Sequence, residues 1–290
     1  MTDIDPHEIM RELGSSSACR ATVLAQNRGK AVWRIDRDGE TVALRMLRPD
    51  HEQTALWEQR AMGFASAAGV PTPRVLATAV WERRPVMLLS WCEGQTLRES
   101  LRARPWAAFG LGVACGREQA RLHRQPAPPA FGPPSWITRF GAVGPELRAR
   151  LERIESAHAA VLHLDCHSDN ILLTGGKVTG LLDWTNACVG DPRADIARTW
   201  SMLTRRAGTG VRGRAAAYAS RIAAAGWLRG YEQVAGPQHD MLPFRIWALT
   251  GLVGTLRAEA ASAGTDCDLT ALEGRIARLR GRAGLPAAEG

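Results

Sequence analysis

The chain of 290 residues is poor in lysine: only Lys30 and Lys177 stand against 35 arginines, so a reaction that needs a lysine has few candidates. Its six cysteines form no C-x-x-C pair, which argues against a disulfide scaffold and predicts reduced thiols. Nowhere do eighteen apolar residues follow one another, and the N-terminal segment lacks the apolar stretch of a signal peptide. These absences predict a soluble, cytoplasmic protein without a membrane partner.

Basic charge is plentiful but not concentrated. The net charge is +8, yet no run of lysine or arginine exceeds two residues. Proteins that bind nucleic acids usually gather their basic residues on one face or tail, so a nucleic-acid partner rests on net charge alone and is not expected. Hydrophobic residues make up 45% and charged residues 23%, which excludes disordered and fibrous classes.

The length predicts about two compact units, at roughly 150 residues per domain. The first, residues 1–92, alternates in the manner of strands and contains Asp38-Gly39, a strong hairpin signal. A stretch of helix formers at 52–68 follows and ends before Pro71. Strands are predicted near 21–25, 31–35, 41–47, 74–80 and 85–91. We therefore predict an antiparallel sheet with one main helix.

The second unit, residues 93–290, is predicted to be mainly helical, with helical stretches near 96–124 and 145–160. One insert interrupts it. If 171–173 and 180–182 pair as a hairpin about the Gly175-Gly176 turn, Asn170 at the start of one strand lies beside residues 181–183 at the end of the other. The whole chain is thus predicted to be α+β.

The loop before this hairpin contains His163, Asp165 and Asn170. Their spacing, H-x-D-x-x-x-x-N, is that of the kinase catalytic loop, in which the aspartate accepts the proton of the attacking hydroxyl and the asparagine holds Mg²⁺. A second carboxylate must bridge the metal to the phosphates, and the hairpin would deliver Asp183.

Three segments together resemble one family. They are His-Leu-Asp-Cys-His-Ser-Asp-Asn at 163–170, Leu-Leu-Asp-Trp at 181–184 and Gly-Asp-Pro-x-x-Asp at 190–195. This set is similar to the signature of the aminoglycoside phosphotransferase/choline kinase-like family of small-molecule kinases. The resemblance implies a protein-kinase-like bilobal fold with a strand-rich nucleotide-binding lobe at 1–92 and a catalytic, acceptor-binding lobe at 93–290. It also implies ATP or GTP as donor and a hydroxyl of a small molecule, such as an antibiotic or related metabolite, as acceptor.

The resemblance assigns roles residue by residue. Asp165 falls on the catalytic base, Asn170 and Asp183 fall on the two Mg²⁺ ligands, and His163 matches the residue that shapes the catalytic loop. The Gly-Asp-Pro segment contributes two acidic residues with an architectural role, Asp191 and Asp195.

In the first lobe, Arg45 occupies the strand position of the phosphate-pairing lysine, and Glu58 matches its ion-pair partner. An arginine is permanently charged and grips phosphate bidentately, so the exchange is chemically tolerable. The phosphate-covering turn carries only Gly29, and Lys30 follows it. The interlobe hinge, whose backbone would bind the nucleotide base, matches Ser90, Trp91 and Cys92.

Two features bear on the acceptor. Protein kinases dock peptides with a long activation segment, whereas here Asp183 is followed within a few residues by the Gly-Asp-Pro helix start, which disfavours a peptide. Residues 201–290, which usually close the acceptor pocket in this family, hold 12 arginines and seven acidic residues. That balance favours a neutral or anionic acceptor over a polycation.

Two other functions remain as alternatives. A catalytically idle, nucleotide-binding regulatory module would explain the Arg45 exchange and the poor glycine loop. A metal-dependent hydrolase could use His163, Asp165 and His167, but the only histidine downstream of these is His239. The sequence gives no sign of the oligomeric state.

Overall fold

A computed structural model describes the chain from residue 4 to residue 286, except 16–18, 28, 129–130, 132–134, 155–157, 206–209 and 264–268. Two positions used in the sequence analysis lie outside the described residues. They are Cys267, expected as a reduced thiol, and residue 28 of the expected phosphate-covering turn. The other five cysteines are free thiols.

The N-terminal region is an antiparallel sheet of five strands in the order β1-β2-β3-β5-β4. Its elements are α1 (Pro6–Glu12), β1 (Cys19–Asn27), β2 (Lys30–Arg37), β3 (Glu40–Met46), α2 (Glu52–Ala67), β4 (Val75–Trp81) and β5 (Arg84–Ser90). The predicted sheet and its main helix are confirmed. Helix α1 was not predicted; it begins at Asp5, whose side chain accepts a hydrogen bond from the N–H of His7.

Side chains alternate between the two faces of β3, so one face packs on the core while the other can contribute to a site. Val42 and Leu44 are fully buried against the core, whereas Ala43 and Arg45 lie on the opposite face. The hairpin that joins β2 to β3 turns at Asp38 and Gly39, both with positive φ, as the sequence signal required.

The C-terminal region is mainly helical. Its helices are α3 (Leu97–Ala103), α4 (Ala108–His123), α5 (Pro145–Arg153), α6 (Pro192–Leu203), α7 (Gly210–Ala235), α8 (Met241–Ala263) and α9 (Thr270–Arg282), and its strands are β6 (Gln95–Thr96), β7 (Ala160–Leu162), β8 (Ile171–Thr174), β9 (Lys177–Leu181) and β10 (Cys188–Gly190). The helical stretch expected near 96–124 is two helices, because Pro105 cannot continue α3 and starts a short 3-10 turn. Within the described ranges, no helix combines the length and apolarity needed to cross a bilayer.

The β8–β9 hairpin has the predicted register. Ile171 pairs with Leu181, and the N–H of Leu182 donates to the carbonyl oxygen of Asn170 at 2.8 Å. The turn uses Gly175 and Gly176, both with positive φ. Strand β6 pairs with β8, so the segment that leaves the N-terminal sheet is joined directly to the hairpin.

Helices α4 and α7 pack backbone against backbone. A Cβ atom on Gly116 would lie 1.9 Å from the carbonyl oxygen of Trp227, and one on Gly112 would lie 2.0 Å from that of Ala223. Neither helix can move away without losing the rest of the contact. Glycine is therefore required at both positions of α4.

We predict that Gly116→Ala destabilises the protein by about 2–3 kcal/mol, because the methyl group overpacks a rigid backbone contact. Gly110, on the same helix, has no atom within 4 Å of its would-be Cβ. Gly110→Ala is therefore the matched control and should stabilise by up to about 1 kcal/mol through helix propensity. Chemical denaturation of both variants measures the difference, and equal stabilities would contradict the packing argument.

Candidate active site

The loop between β7 and β8, residues 163–170, is held by one buried carboxylate. Asp195 on α6 accepts the backbone N–H of His163 on one oxygen at 2.7 Å and that of Leu164 on the other at 2.9 Å. Leu164 has a φ of 60°, in the left-handed region that leucine rarely adopts. The two hydrogen bonds offset the cost of this backbone conformation and fix the start of the loop.

Asp195 is itself part of a buried network. The oxygen that accepts from the His163 N–H also accepts from Nε2 of His123 at 3.0 Å, and Nδ1 of His123 then accepts from the Tyr231 hydroxyl at 2.9 Å. Burial alone would raise the pKa of Asp195, but the hydrogen bond from His123 lowers it. Asp191 caps the same helix by accepting the N–H of Arg193. The Gly-Asp-Pro segment thus makes the structural contacts that its expected role requires.

His163 is buried and uses both ring nitrogens. Nε2 donates to the carbonyl oxygen of Leu182 at 3.0 Å, and Nδ1 accepts the N–H of Asp165 at 3.2 Å. Its ring packs on that of Trp184, with centroids 4.5 Å apart. Burial lowers the pKa of His163, which keeps the imidazole neutral. Because neither nitrogen is available to a metal, the hydrolase alternative loses its first ligand.

Asp165 and Asn170 lie at the two ends of the loop and face each other. The Asn170 side-chain nitrogen donates to the carbonyl oxygen of Asp165 at 3.0 Å, which leaves the amide oxygen as the atom that could bind a metal. The Asp165 carboxylate is about one fifth exposed and lies 3.9 Å from Nε2 of His167. It can therefore be reached by a substrate hydroxyl.

Sequence reasoning missed a second support of this loop. Arg98, at the start of α3, binds both carboxylate oxygens of Asp169 and also donates its backbone N–H to Ser168 at 2.9 Å. The pair joins residues 71 positions apart, so no local pattern could reveal it. The adjacency of Asp169 to Asn170 was the only available signal.

The N-terminal sheet reaches the hairpin through Arg45. Its Nη2 lies 3.1 Å from Glu58 on α2 and 2.7 Å from Asp183, which follows β9. The same nitrogen donates to the hydroxyl of Thr185 at 2.7 Å, and that hydroxyl donates to Asp183 at 2.6 Å. Thr185 was not expected as part of the site. The predicted Arg45–Glu58 ion pair forms, and Arg45 forms a second ion pair with Asp183.

The charges in this cluster depend on one another. Burial opposes the charge of Arg45, but Glu58 and Asp183 outweigh it and raise the pKa of the guanidinium. Burial would likewise raise the pKa of Asp183, yet Arg45 and Thr185 hold it well below its usual range. Burial lowers the pKa of Lys30 against the attraction of Asp183. Two cations and two carboxylates thus share one partly buried site.

The expected turn and hinge make contacts of their own. Gly29 has a φ of 80° and its carbonyl oxygen accepts from Arg84 at 3.0 Å. The Ser90 N–H donates to the carbonyl oxygen of Arg74 at 2.8 Å, and the Ser90 hydroxyl accepts from the Arg74 N–H at 2.9 Å. Trp91 lies beneath the Arg34 guanidinium, and burial raises the pKa of the Cys92 thiol to about 11. No described contact joins Ser90, Trp91 or Cys92 to Asp165, Asn170 or Asp183.

The donor set suits magnesium. Asn170 offers an amide oxygen and Asp183 an ionised carboxylate, and both belong to the hard oxygen ligands that Mg²⁺ prefers. The imidazole of His163 does not compete as a ligand, because both of its ring nitrogens are bonded. The chemistry of the residues therefore fits the metal that the sequence predicted.

Comparison with known proteins identifies the family. The family described as "Phosphotransferase enzyme family" (APH) matches residues 21–159 and 144–236, which is well over half of the chain. The chain belongs to this phosphotransferase family. No curated protein matches the sequence.

Solved structures share the phosphotransferase fold over most of the chain. An aminoglycoside-3'-phosphotransferase of type VIII is 20% identical, with a TM-score of 0.62 over 83% of this chain and 97% of its own. A thermostable mutant of aminoglycoside phosphotransferase APH(4)-Ia, in ternary complex with ADP and hygromycin B, is 15% identical, with a TM-score of 0.67 over 97% and 98%. A putative fructosamine-3-kinase from Haemophilus somnus is 13% identical, with a TM-score of 0.60 over 94% and 95%. These likenesses confirm the expected fold class.

We predict that Asp195→Asn destabilises this phosphotransferase by about 3 kcal/mol, because the amide NH₂ would face donors that now bind a carboxylate. The exposed Asp240 also has a positive φ, which asparagine tolerates, so Asp240→Asn is the control and should change stability by less than about 0.5 kcal/mol. Urea denaturation measures both. A loss at position 195 no larger than at 240 would remove Asp195 from its supporting role.

The buried His163 predicts a pH dependence of stability. Its pKa is lower in the folded state than the usual value near 6.5, so the unfolded chain binds the proton first as the pH falls. Stability should therefore decrease below about pH 6.5, and His163→Gln should flatten that part of the profile. The exposed His239→Gln is the control. Denaturation midpoints between pH 5 and 7 provide the test, and an unchanged slope in His163→Gln would contradict the assignment.

Proposed function

We propose that the protein transfers the γ-phosphoryl group of ATP or GTP to a hydroxyl group of a small molecule, with Mg²⁺ as cofactor. One observation carries the proposal: Arg45 binds Asp183 at 2.7 Å while it is held by Glu58 at 3.1 Å. This contact brings a phosphate-binding cation of the sheet to the end of the hairpin that carries Asn170. Cation, metal ligands and base then surround one phosphoryl group, as transfer requires.

In this proposal residues 1–92 form the nucleotide-binding lobe and residues 93–290 the catalytic and acceptor-binding lobe. Arg45 and Lys30 would bind the nucleotide phosphates, and Gly29 would allow the turn to lie over them. The base of the nucleotide would bind to backbone groups of the connection at Ser90, Trp91 and Cys92.

Asp165 would act as the base. Its carboxylate takes the proton of the acceptor hydroxyl as the hydroxyl oxygen forms a bond to the γ-phosphorus. The bond from that phosphorus to the β,γ-bridging oxygen breaks, and its electron pair leaves with the nucleoside diphosphate. His163 holds the backbone of Asp165 through the N–H bond at 3.2 Å, and so orients the carboxylate. Most of the catalysis would come from positioning and from electrostatic stabilisation.

Asn170 and Asp183 would hold the magnesium ion, which supplies positive charge to the donor phosphates when bound. Asp183 suits this role because its pKa is held low and it stays ionised. Its Oδ1 is bonded to Arg45 and Thr185. These partners fix the orientation of the carboxylate before any ligand arrives.

The acceptor class stays open among small hydroxyl compounds. One similar structure is a complex with hygromycin B and another is a putative fructosamine-3-kinase, which supports chemically different acceptors for this fold. An antibiotic acceptor would make the protein a resistance enzyme, and the cytoplasm, where ATP and GTP are abundant, is the proposed place of action. A peptide acceptor is not proposed, because only seven residues separate Asp183 from Asp191.

We predict that Asp165→Ala lowers phosphoryl transfer about 10²–10⁴-fold, because the base is lost. Binding of nucleotide should change little, since Arg45, Asn170 and Asp183 remain. The measurement is mass spectrometry of phosphate adducts over a panel of hydroxylated metabolites, with the nucleotide affinity determined in parallel. Equal turnover in Asp165→Ala would remove the proposed base.

Slow hydrolysis of ATP or GTP with Mg²⁺ separates an enzyme from an idle nucleotide-binding module. The wild type should hydrolyse nucleotide faster than Asp183→Ala, because Asp183 is a proposed metal ligand. Hydrolysis no faster than in that control, together with nucleotide binding, would favour the regulatory module.

A further inference from the structure

Arg198, an arginine near the candidate base, is buried although two of its guanidinium nitrogens lack a hydrogen-bond partner among the described residues. Arg198 lies on α6, one turn beyond Asp195, and is 2% exposed. Its guanidinium stacks on the Phe140 ring at 3.9 Å, and its Nη2 lies 3.5 Å from the hydroxyl of Thr255, at the limit of a hydrogen bond. Among the described residues, its Nε and Nη1 have no hydrogen-bond partner. Burying such donors without a partner is costly, so a ligand that binds them is strongly favoured.

No carboxylate neutralises Arg198 by contact within the described ranges. Asp165, Asp195 and Glu259 act on it through space, yet none forms an ion pair with it. Asp195 is already bound to His123 and to the loop backbone. The guanidinium therefore lies within electrostatic reach of Asp165 and has unused hydrogen-bonding capacity.

Arg139, the chain neighbour of Phe140, adds a second, half-buried cation. Its Nη2 donates to the carbonyl oxygen of Thr185 at 2.6 Å, and its Nε is buried without a partner among the described residues. Both arginines belong to the C-terminal region, whereas the cations proposed for the nucleotide, Lys30 and Arg45, lie on β2 and β3. An acceptor that approaches Asp165 from the C-terminal region would meet Arg139 and Arg198.

We propose that Arg198, supported by Arg139, binds a carboxylate group on the acceptor and so selects hydroxy acids as substrates. The inference rests on the proposed function, whose acceptor site it specifies. A planar guanidinium matches a carboxylate in shape and charge and can hold it bidentately. Phe140 is partly exposed, so the ring that covers Arg198 borders solvent.

The same feature disfavours polycationic acceptors. An ammonium group brought beside the buried guanidinium of Arg198 and the half-buried one of Arg139 would be repelled, because charges interact strongly where the dielectric constant is low. The excess of arginine over acidic residues in 201–290 acts in the same direction.

The test is a titration of the full-length protein with Mg²⁺ and a non-hydrolysable ATP analogue. The probes are three hydroxy acids, namely lactate, glycerate and 4-hydroxyphenylacetate, each paired with its neutral amide. Arginine labelled with ¹⁵N gives an Nε–H resonance for the buried Arg198, which is identified by its loss in Arg198→Lys. The exposed Arg229→Gln on α7 is the matched control.

We expect at least one hydroxy acid to shift the Arg198 resonance while its amide does not. The dissociation constant of that acid should rise at least tenfold in Arg198→Gln, rise less in Arg198→Lys and stay unchanged in Arg229→Gln. The proposal is overturned if no acid shifts the resonance, if the amides bind equally well, or if Arg198→Gln binds the acid as tightly as the wild type. If Arg198→Gln fails to fold, the wild-type titration still tests the proposal, because it compares the shift of the Arg198 resonance by each acid with that by its amide.

Hydrolysis of ATP or GTP, measured on the same protein preparations with the nucleotide in place of the analogue, separates this inference from the proposed function. Hydrolysis that depends on Asp183, without binding of any hydroxy acid, would refute the Arg198 site and leave the phosphotransferase standing. Binding of a hydroxy acid without hydrolysis or transfer would support the site and refute the enzyme.

Discussion

The carboxylate of Asp195 is the contact on which the candidate site depends. It binds two consecutive backbone N–H groups, at 2.7 and 2.9 Å, and thereby holds Leu164 in a left-handed conformation that the chain would not adopt by itself. Because a buried carboxylate without these donors would be strongly unfavourable, helix α6 and the loop require each other. The proline and the cap that start α6 therefore also set the position of Asp165.

From that carboxylate a continuous path of contacts leads to the N-terminal sheet. The His163 side chain, in the loop, donates a hydrogen bond to the carbonyl oxygen of Leu182. The next residue along the chain is Asp183, whose carboxylate binds Arg45. The two hydrogen-bonded steps join segments that are distant in sequence, the last by 138 positions. The placement of Asp165 relative to Asp183 and Arg45 is thus a property of the whole fold, and a change far from Asp165 can displace it.

Local patterns sufficed for the strands, for helix α2 and for the hairpin register, because alternation and glycine turns are encoded over a few residues. The loop motif also allowed Asp165, Asn170 and Asp183 to be named, although their roles stay predictions. The support from Arg98, the inclusion of Thr185 and the burial of Arg198 could not be predicted, since each depends on which surfaces meet after folding. Helix α1 was missed because its only signals were Asp5 and Pro6 ahead of a short apolar face.

Arginine at position 45 has a physical consequence for nucleotide binding. A single nitrogen of this side chain contacts Glu58, Asp183 and Thr185, so the sheet and the hairpin are joined before any nucleotide is present. Under the proposed function, an arriving phosphate must share Arg45 with Asp183, and the displaced carboxylate charge then needs a cation of its own. Mg²⁺ held by Asn170 and Asp183 would supply that cation. Binding of the phosphate and binding of the metal would therefore be coupled through Arg45, whose guanidinium keeps its charge at all physiological pH values.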